Sequence, residues 1–136
     1  MAIFVNTDSK IVVNSINLSG WITGHDLPRE ADMHDKTTFG QTTHIFTSGL
    51  LNHGFTIEGL QDYGAGGPDA TLNALLGAAA FQITAKSSSA ANSATNPEYQ
   101  GSFVLEHYDP MSGKIGELAK FTASFKPAGA LTRATS

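Results

Sequence analysis

The sequence contains no cysteine, little charge and no long apolar run. Without cysteine there are no disulfides, no thiolate metal ligands and no thiol redox chemistry. No window approaches about 18 continuous apolar residues, and the apolar run near the N-terminus covers only residues 3–5. The sequence therefore predicts neither a signal peptide nor a membrane anchor, and we expect a soluble protein.

Charged residues make up 15% of the chain, against about 25% in an average protein. Such a surface suits a protein that faces copies of itself, since interface cores lose charge, but an ordinary β domain with polar loops would look the same. The net charge of −4 is also uneven. Residues 1–110 carry −7 and residues 111–136 carry +3. The acidic body disfavours non-specific nucleic-acid binding, and the basic end is suited to meet the body of another subunit.

Alternation of apolar and polar residues predicts about seven short strands. One helix is predicted over residues 68–77, with Pro68 and Asp69 at its start and an apolar stripe of Leu72, Leu75, Leu76 and Ala79. The expected fold is mainly β, a β-sandwich or barrel of about seven strands with one flanking α-helix, and residues 1–136 form a single domain. The polar loop 86–98 and the C-terminal tail 127–136 are predicted to be flexible and without regular structure.

The segment 23–36 is predicted to be a strand with one apolar and one acidic face. Leu27, Ala31 and Met33 alternate with Asp26, Glu30, Asp32 and His34. Pro28 lacks an N–H, so this strand is predicted to lie at an edge or to begin there. Residues 37–40 break the pattern, a strand follows over residues 41–48, and residues 52–54 predict the turn of a hairpin with the strand that starts at Phe55. Residues 109–113 also have the composition of a turn.

No combination of residues indicates catalysis. The five histidines lack the helical i, i+4 spacing of zinc proteases, and there is no GxSxG motif. The glycine-rich loop 64–67 lacks the Lys and Ser/Thr of a phosphate-binding loop. Carboxylates in a row along a strand do not converge on a cation. We therefore predict no catalytic residue, no metal site, no cofactor and no enzyme activity.

The order of the motifs resembles the major tail tube proteins of long-tailed bacteriophages. The run NLSGWITGHDLPREADMHDKTTFG ends in the turn at residues 37–40, and SGL supplies the Gly49-Leu50 step. HGFTIEGLQD supplies the later strand, DATLNALLG the helix, and ELAKFTASFKPAG resembles the closing strand. Each motif is weak by itself. The resemblance rests on their order and spacing over residues 10–129.

This resemblance implies a virion protein that forms hexameric rings, which stack into a hollow tail tube. The tube would be assembled in the host bacterial cytoplasm around a tape-measure protein, be closed by tail terminator and tip proteins, and conduct phage DNA without binding it specifically. The lumen-facing candidates are Asp26, Glu30 and Asp32. The subunit-interface candidates are Thr37, Thr38, Phe39, Gly40, Gly49, Leu50, Lys126 and Arg133.

Two other classes remain. A capsid decoration or head–tail connector protein would share the β architecture. A carbohydrate-binding β-sandwich is disfavoured, because the chain has one tryptophan, Trp21, and no strand face with clustered aromatic residues for stacking on sugars.

Overall fold

The computed structural model describes residues 3–136, so residues 1–2 of the predicted domain lie outside the described range. Over this range the chain forms ten strands and one helix. Their bounds are β1 Lys10–Val13, β2 Ile16–Asn17, β3 Ile22–Asp26, β4 Arg29–Asp35, β5 Phe46–His53, β6 Phe55–Leu60, α1 Pro68–Leu75, β7 Phe81–Lys86, β8 Glu98–Ser112, β9 Lys120–Pro127 and β10 Thr132–Ala134.

Eight strands form one antiparallel sheet in the order β2-β1-β7-β8-β9-β6-β3, with β10 also paired to β8. A flat sheet of seven strands would be about 29 Å wide. Its two outer strands, β2 and β3, are nevertheless joined by only residues 18–21, which span at most about 18 Å. The sheet must therefore curl until its edges approach each other, as in a barrel.

Phenylalanines fill the inside of the curled sheet. Phe55, Phe103, Phe121 and Phe125 are each 2% exposed or less, and the rings of Phe55 and Phe125 stack with centroids 6.1 Å apart. On β9 the buried residues Phe121, Ala123 and Phe125 alternate with more exposed neighbours, which is the period of two expected of a strand with one buried face.

Helix α1 packs on this core through Leu72 and Leu75. Pro68 occupies its first turn, and the Thr71 hydroxyl donates to the Gly67 carbonyl at 3.1 Å. The Tyr108 hydroxyl on β8 donates to Asp69 Oδ1 at 2.7 Å and accepts from Gln61 Nε2 at 3.1 Å. Burial, the main cause, raises the pKa of Tyr108 to about 12. This side chain therefore ties the start of the helix to the sheet.

The mainly β fold with one helix is confirmed, with four corrections. The predicted strand 23–36 is broken at Leu27 and Pro28 into β3 and β4. The hairpin predicted around residues 52–54 is wrong, because β5 pairs with β4 rather than with β6. In the predicted apolar stripe, Leu76 and Ala79 lie beyond the helix and are exposed.

The C-terminal tail is the fourth correction. Residues 127–136 were expected to have no regular structure, but Thr132–Ala134 form β10, which pairs with β8 from Thr132 opposite Gln100 to Ala134 opposite Glu98. The flexibility of the tail and of loop 86–98 stays a prediction.

Candidate assembly surface

The most distinctive feature of the molecule is a two-stranded ribbon that continues out of the main sheet. Within the sheet, β3 and β6 pair from Ile22 to Asp26. The Gly54 N–H then donates to the Pro28 carbonyl at 3.1 Å. Beyond this bond β4 pairs with β5, from Arg29 opposite His53 to Asp35 opposite Phe46. We call residues 29–53 the ribbon.

No residue of the ribbon is buried. Only Ala31, Thr37, Ile45 and His53 are half-buried, and all the others are exposed. An isolated two-stranded hairpin is at best marginally stable in water, and stability normally needs a third strand or another packed element. The ribbon therefore has the geometry of an element that is completed by another molecule.

One face of the ribbon carries exposed large apolar side chains beside Ser48 and Asp35. The register places Ala31 opposite Leu51, Met33 opposite Ser48 and Asp35 opposite Phe46, so these six residues share a face. Met33 is 60%, Phe46 56% and Leu51 78% exposed. A contiguous set of exposed large apolar side chains on a soluble protein marks an interaction surface.

The opposite face is acidic. Glu30, Asp32 and His34 alternate with the apolar residues of β4. Across the ribbon, Asn52 Nδ2 donates to Glu30 Oε1 at 3.2 Å. Gly49 lies over Asp32 and His34, so that a Cβ added there would stand 2.5 Å from His34 Nε2. Since the register shifts between Ala31 and Met33, Gly49 belongs to a bulged region of the ribbon.

The tip loop of the ribbon, residues 36–45, is ordered by its own hydrogen bonds. The Thr37 N–H donates to Asp35 Oδ1 at 2.9 Å, and the Ile45 N–H donates to the Thr37 hydroxyl at 2.8 Å. The hydrogen bonds from Thr37 lower the pKa of Asp35. Phe39 is fully exposed at the tip. A large aromatic side chain is thus presented on a structured loop, with no cover from its own subunit.

At the root of the ribbon, Arg29 and His53 face each other across the ladder. The guanidinium of Arg29 lies 5.9 Å from the centre of the Tyr99 ring, and the His53 ring packs edge-on against Phe103 with centroids 5.4 Å apart. His53 Nε2 is buried and finds no hydrogen-bond partner among residues 3–136. Burial, and next the charge of Arg29, lower the pKa of His53. The root therefore favours neutral histidine.

A groove of about 600 Å³ separates the root of the ribbon from the segment between β9 and β10. Its walls include Arg29, Ala31 and Leu51 on the ribbon, and Pro127, Ala130 and Leu131 on the other side. The lining also includes Glu30, Asn52 and His53, so aliphatic side chains share the groove with charges of both signs.

The other end of the sheet carries a second exposed apolar group. The loop between β8 and β9, residues 113–119, contains Ile115, which is fully exposed, and Leu118, which is 67% exposed. Met111 at the end of β8 is also exposed. Gly113 at φ 151° and Gly116 at φ 86° adopt backbone conformations that favour glycine. We call this segment the β8–β9 loop.

Of the residues singled out from the sequence, most of the interface candidates lie together on the ribbon: Thr37, Thr38, Phe39, Gly40, Gly49 and Leu50. Lys126 and Arg133 lie on the body, where Lys126 Nζ is 3.7 Å from Glu106 Oε2 and Arg133 Nε donates to the Tyr99 hydroxyl at 3.3 Å. Of the three carboxylates, Glu30 and Asp32 share a ribbon face, whereas Asp26 is on β3, before the break.

Sequence reasoning missed Phe46, Leu51 and the β8–β9 loop. Phe46 and Leu51 have the same apolar character as Met33, but their role depends on the pairing of β5 with β4, which the incorrect hairpin obscured. Ile115 follows the predicted turn at residues 109–113, and an isoleucine between Gly113 and Gly116 was the signal available in the sequence.

Within residues 3–136 no three histidine, aspartate or glutamate side chains are grouped in a way that would hold a metal ion. No helix over these residues is long and apolar enough to cross a membrane.

Chains of similar fold occur in gene transfer agent particles and in an extracellular contractile injection system. A chain in the virion of a native gene transfer agent particle has a TM-score of 0.78 at 13% identity, covering 97% of this chain and 99% of that chain. A chain in the tail of an empty gene transfer agent particle with C6 symmetry has a TM-score of 0.68 at 14% identity, covering 95% and 96%.

A third similar chain comes from the sheath/tube terminator, in its extended state, of an extracellular contractile injection system. Its TM-score is 0.66 at 10% identity, with 97% and 96% of the two chains covered. No protein-family model and no curated protein sequence matches this chain. At these identities the likeness shows the fold alone, and this fold agrees with the tail tube-like fold that the sequence indicated.

Proposed function

We propose that this chain is a structural, non-enzymatic subunit of a phage-type tail, and that six copies close into a ring that stacks with others into a hollow tube. The observation that carries the proposal is the ribbon, whose apolar face has no cover within the subunit. The similar fold in a C6-symmetric tail supports the number six. A protein whose exposed strands need partners forms repeating assemblies readily.

Met33 and Phe46, on the outer part of the ribbon, pack against the adjacent copy in the ring. They are 60% and 56% exposed in the subunit, so covering them contributes roughly 1–2 kcal/mol each. Phe39 on the tip loop, with Thr37, Thr38 and Gly40, and the Gly49-Leu50 step extend this contact to further copies. These gains act against the entropy lost on association.

The acidic face of the ribbon then lines the lumen, where Glu30 and Asp32, with Asp26 on β3, repel the DNA backbone. A basic lining would bind the polyanion by releasing its counterions and slow its passage. Changing Asp26, Glu30 and Asp32 to Lys should leave rings intact and give tubes that retain DNA. Tubes of the triple variant that retain no DNA would place these residues outside the lumen.

The remaining partners follow from this role. The hollow would hold a tape-measure protein until DNA ejection, terminator and tip proteins would close its two ends, and assembly would take place in the host bacterial cytoplasm before the tail joins the virion. Lys126 and Arg133, both exposed on an end of the chain that is basic in an acidic protein, are suited to contact a neighbouring subunit.

Negative-stain microscopy of the purified protein across a concentration series tests the proposal. Six-fold rings or tubes are the expected result. Monomers at high concentration would contradict it, and trimers that bind only preformed capsids would favour a capsid decoration protein.

A second candidate is a protein that ends a tube rather than building its length. The similar fold of a chain in a sheath/tube terminator structure favours it. A tube-end protein would form single six-fold rings that never stack, so the same micrographs separate the two candidates.

A further inference from the structure

Two exposed apolar features lie at opposite ends of the sheet. The groove includes Pro127, at the end of β9, and the β8–β9 loop ends where β9 begins. The eight residues of β9 therefore separate them by about 25 Å. Within one subunit the loop cannot reach the groove.

The β8–β9 loop has the form of a small apolar projection. Ile115 and Leu118 are exposed, and the Glu117 N–H donates to the Lys114 carbonyl at 3.1 Å, which closes a tight turn. Because this bond orders the turn, little backbone entropy remains to be lost when the loop docks.

The groove offers a matching surface. Ala31, Leu51, Pro127, Ala130 and Leu131 supply aliphatic walls. A volume of about 600 Å³ has room for more than one aliphatic side chain, since a water molecule takes up about 30 Å³ of the liquid.

The charges match as well. Arg29 is exposed at the rim of the groove and Glu117 is exposed on the loop. Neither side chain forms an ion pair within the described part of the chain. Since Glu30 also lines the groove and the exposed Lys114 also lies on the loop, each surface carries both signs of charge. An orientation with Glu117 against Arg29 brings opposite charges together.

We propose that the β8–β9 loop of one copy docks into the groove of the next copy, with Ile115 and Leu118 on the aliphatic walls and Glu117 against Arg29, and that this contact joins successive rings. This docking contact rests on the proposed function and adds to it the contact between rings along the tube axis. Since the two surfaces differ and lie at opposite ends of the sheet, the contact is heterologous and repeats without closing.

Cysteine pairs test the contact directly, because the chain has no cysteine of its own. Ile115→Cys combined with Ala130→Cys should give, under oxidation, a ladder of covalent oligomers that extends beyond six chains and disappears on reduction. A disulfide within one chain is excluded, since it needs Cα atoms closer than about 7 Å. The matched control combines Ile115→Cys with Thr56→Cys. Thr56 is exposed on β6, toward the end of the sheet that carries the groove but outside the groove itself.

The control pair should give no ladder. If the test pair of cysteines gives no ladder in assembled protein, or a ladder that ends at six or at two chains, the axial docking is wrong. Wild-type protein that stays monomeric contradicts the proposed function itself, whereas wild-type rings without cross-links between Ile115→Cys and Ala130→Cys contradict only the docking.

A charge exchange provides a second test. Arg29→Glu and Glu117→Arg should each raise the concentration needed for tube formation by roughly two- to fivefold, while single rings persist. The double variant should return this concentration to near the wild-type value. If the double variant does not recover the wild-type concentration for tube formation, although each variant keeps the wild-type melting temperature, the two residues do not meet.

Discussion

The curled sheet and the ribbon are built from the same two chain segments but differ in what covers them. Along β6 the residues Phe55 and Ile57 are buried, whereas immediately before them β5 has no buried residue. The sheet body covers its apolar side chains with its own strands and helix. The ribbon carries Met33, Phe46 and Leu51 into solvent. The body therefore buries its own apolar side chains, whereas the ribbon has the exposure expected of an element that another copy would cover.

The largest effect on the subunit should come from its core. Phe125 is 2% exposed and contacts the rings of Phe55 and Phe81. Phe125→Ala should lower the free energy of unfolding by about 3–5 kcal/mol, because it leaves a cavity. Urea denaturation of the dilute subunit measures this, with Phe39→Ala on the exposed tip loop as the matched control. A loss of unfolding free energy below 1 kcal/mol would mean that the packed interior of the sheet does not provide the stability of the subunit.

The ribbon should show the reverse behaviour. The double variant Met33→Ser with Phe46→Ser should change the free energy of unfolding of the subunit by less than about 0.5 kcal/mol, as is usual at exposed positions. It should nevertheless raise the concentration for ring formation by at least tenfold, because two apolar contacts are lost. Analytical ultracentrifugation measures the assembly, and Ser48→Ala on the same face is the control. Unchanged assembly would remove the ribbon from the interface.

A smaller effect is expected where the helix meets the sheet. Tyr108→Phe removes the hydrogen bonds to Asp69 and from Gln61. The expected loss of unfolding free energy is about 1–2 kcal/mol, with no change in assembly. Tyr63→Phe, at an exposed tyrosine, serves as the comparison. A variant as stable as the wild type would show that apolar packing alone holds the helix.

The smallest expected effect is a pH dependence at the root of the ribbon. The pKa of His53 in the folded protein lies below its ordinary value of 6.5, so below about pH 6.5 the unfolded chain binds more protons than the folded one. Stability from the neutral ring is complete above pH 6.5 and declines as the pH falls below it. His53→Leu should flatten this part of the curve of melting temperature against pH.

His107→Gln, at an exposed histidine on β8, should leave the same part of the curve unchanged. An identical pH profile for wild type and His53→Leu would show that the root does not discriminate between the protonation states of His53.

The body was the more predictable part. The alternation of apolar and polar residues on β9 is a local signal, and so are Pro68 and Asp69 in the first turn of the helix. The structure agrees with both signals. The ribbon depended on a pairing that is not local. Asn52, His53 and Gly54 have the composition of a turn, but the β3–β6 ladder continues through Gly54 and fixes β4 opposite β5.

The turn predicted at residues 109–113, around Pro110, is wrong. Residues 109–113 have turn composition, yet β8 continues to Ser112. The register between β8 and β9 shifts between Asp109 and Ser112, and such irregular pairing accommodates Pro110. The turn therefore falls later, in the β8–β9 loop, and its exposed Ile115 could be interpreted only once that boundary was known.

Hydrogen exchange of the backbone amides, compared between dispersed and assembled protein, tests most directly whether copies of the chain complete the ribbon. The account predicts that amides of residues 29–53 exchange fast in the dispersed subunit and become protected on assembly, while those of β9 are protected in both. Equal exchange of the ribbon amides in the two states would contradict it.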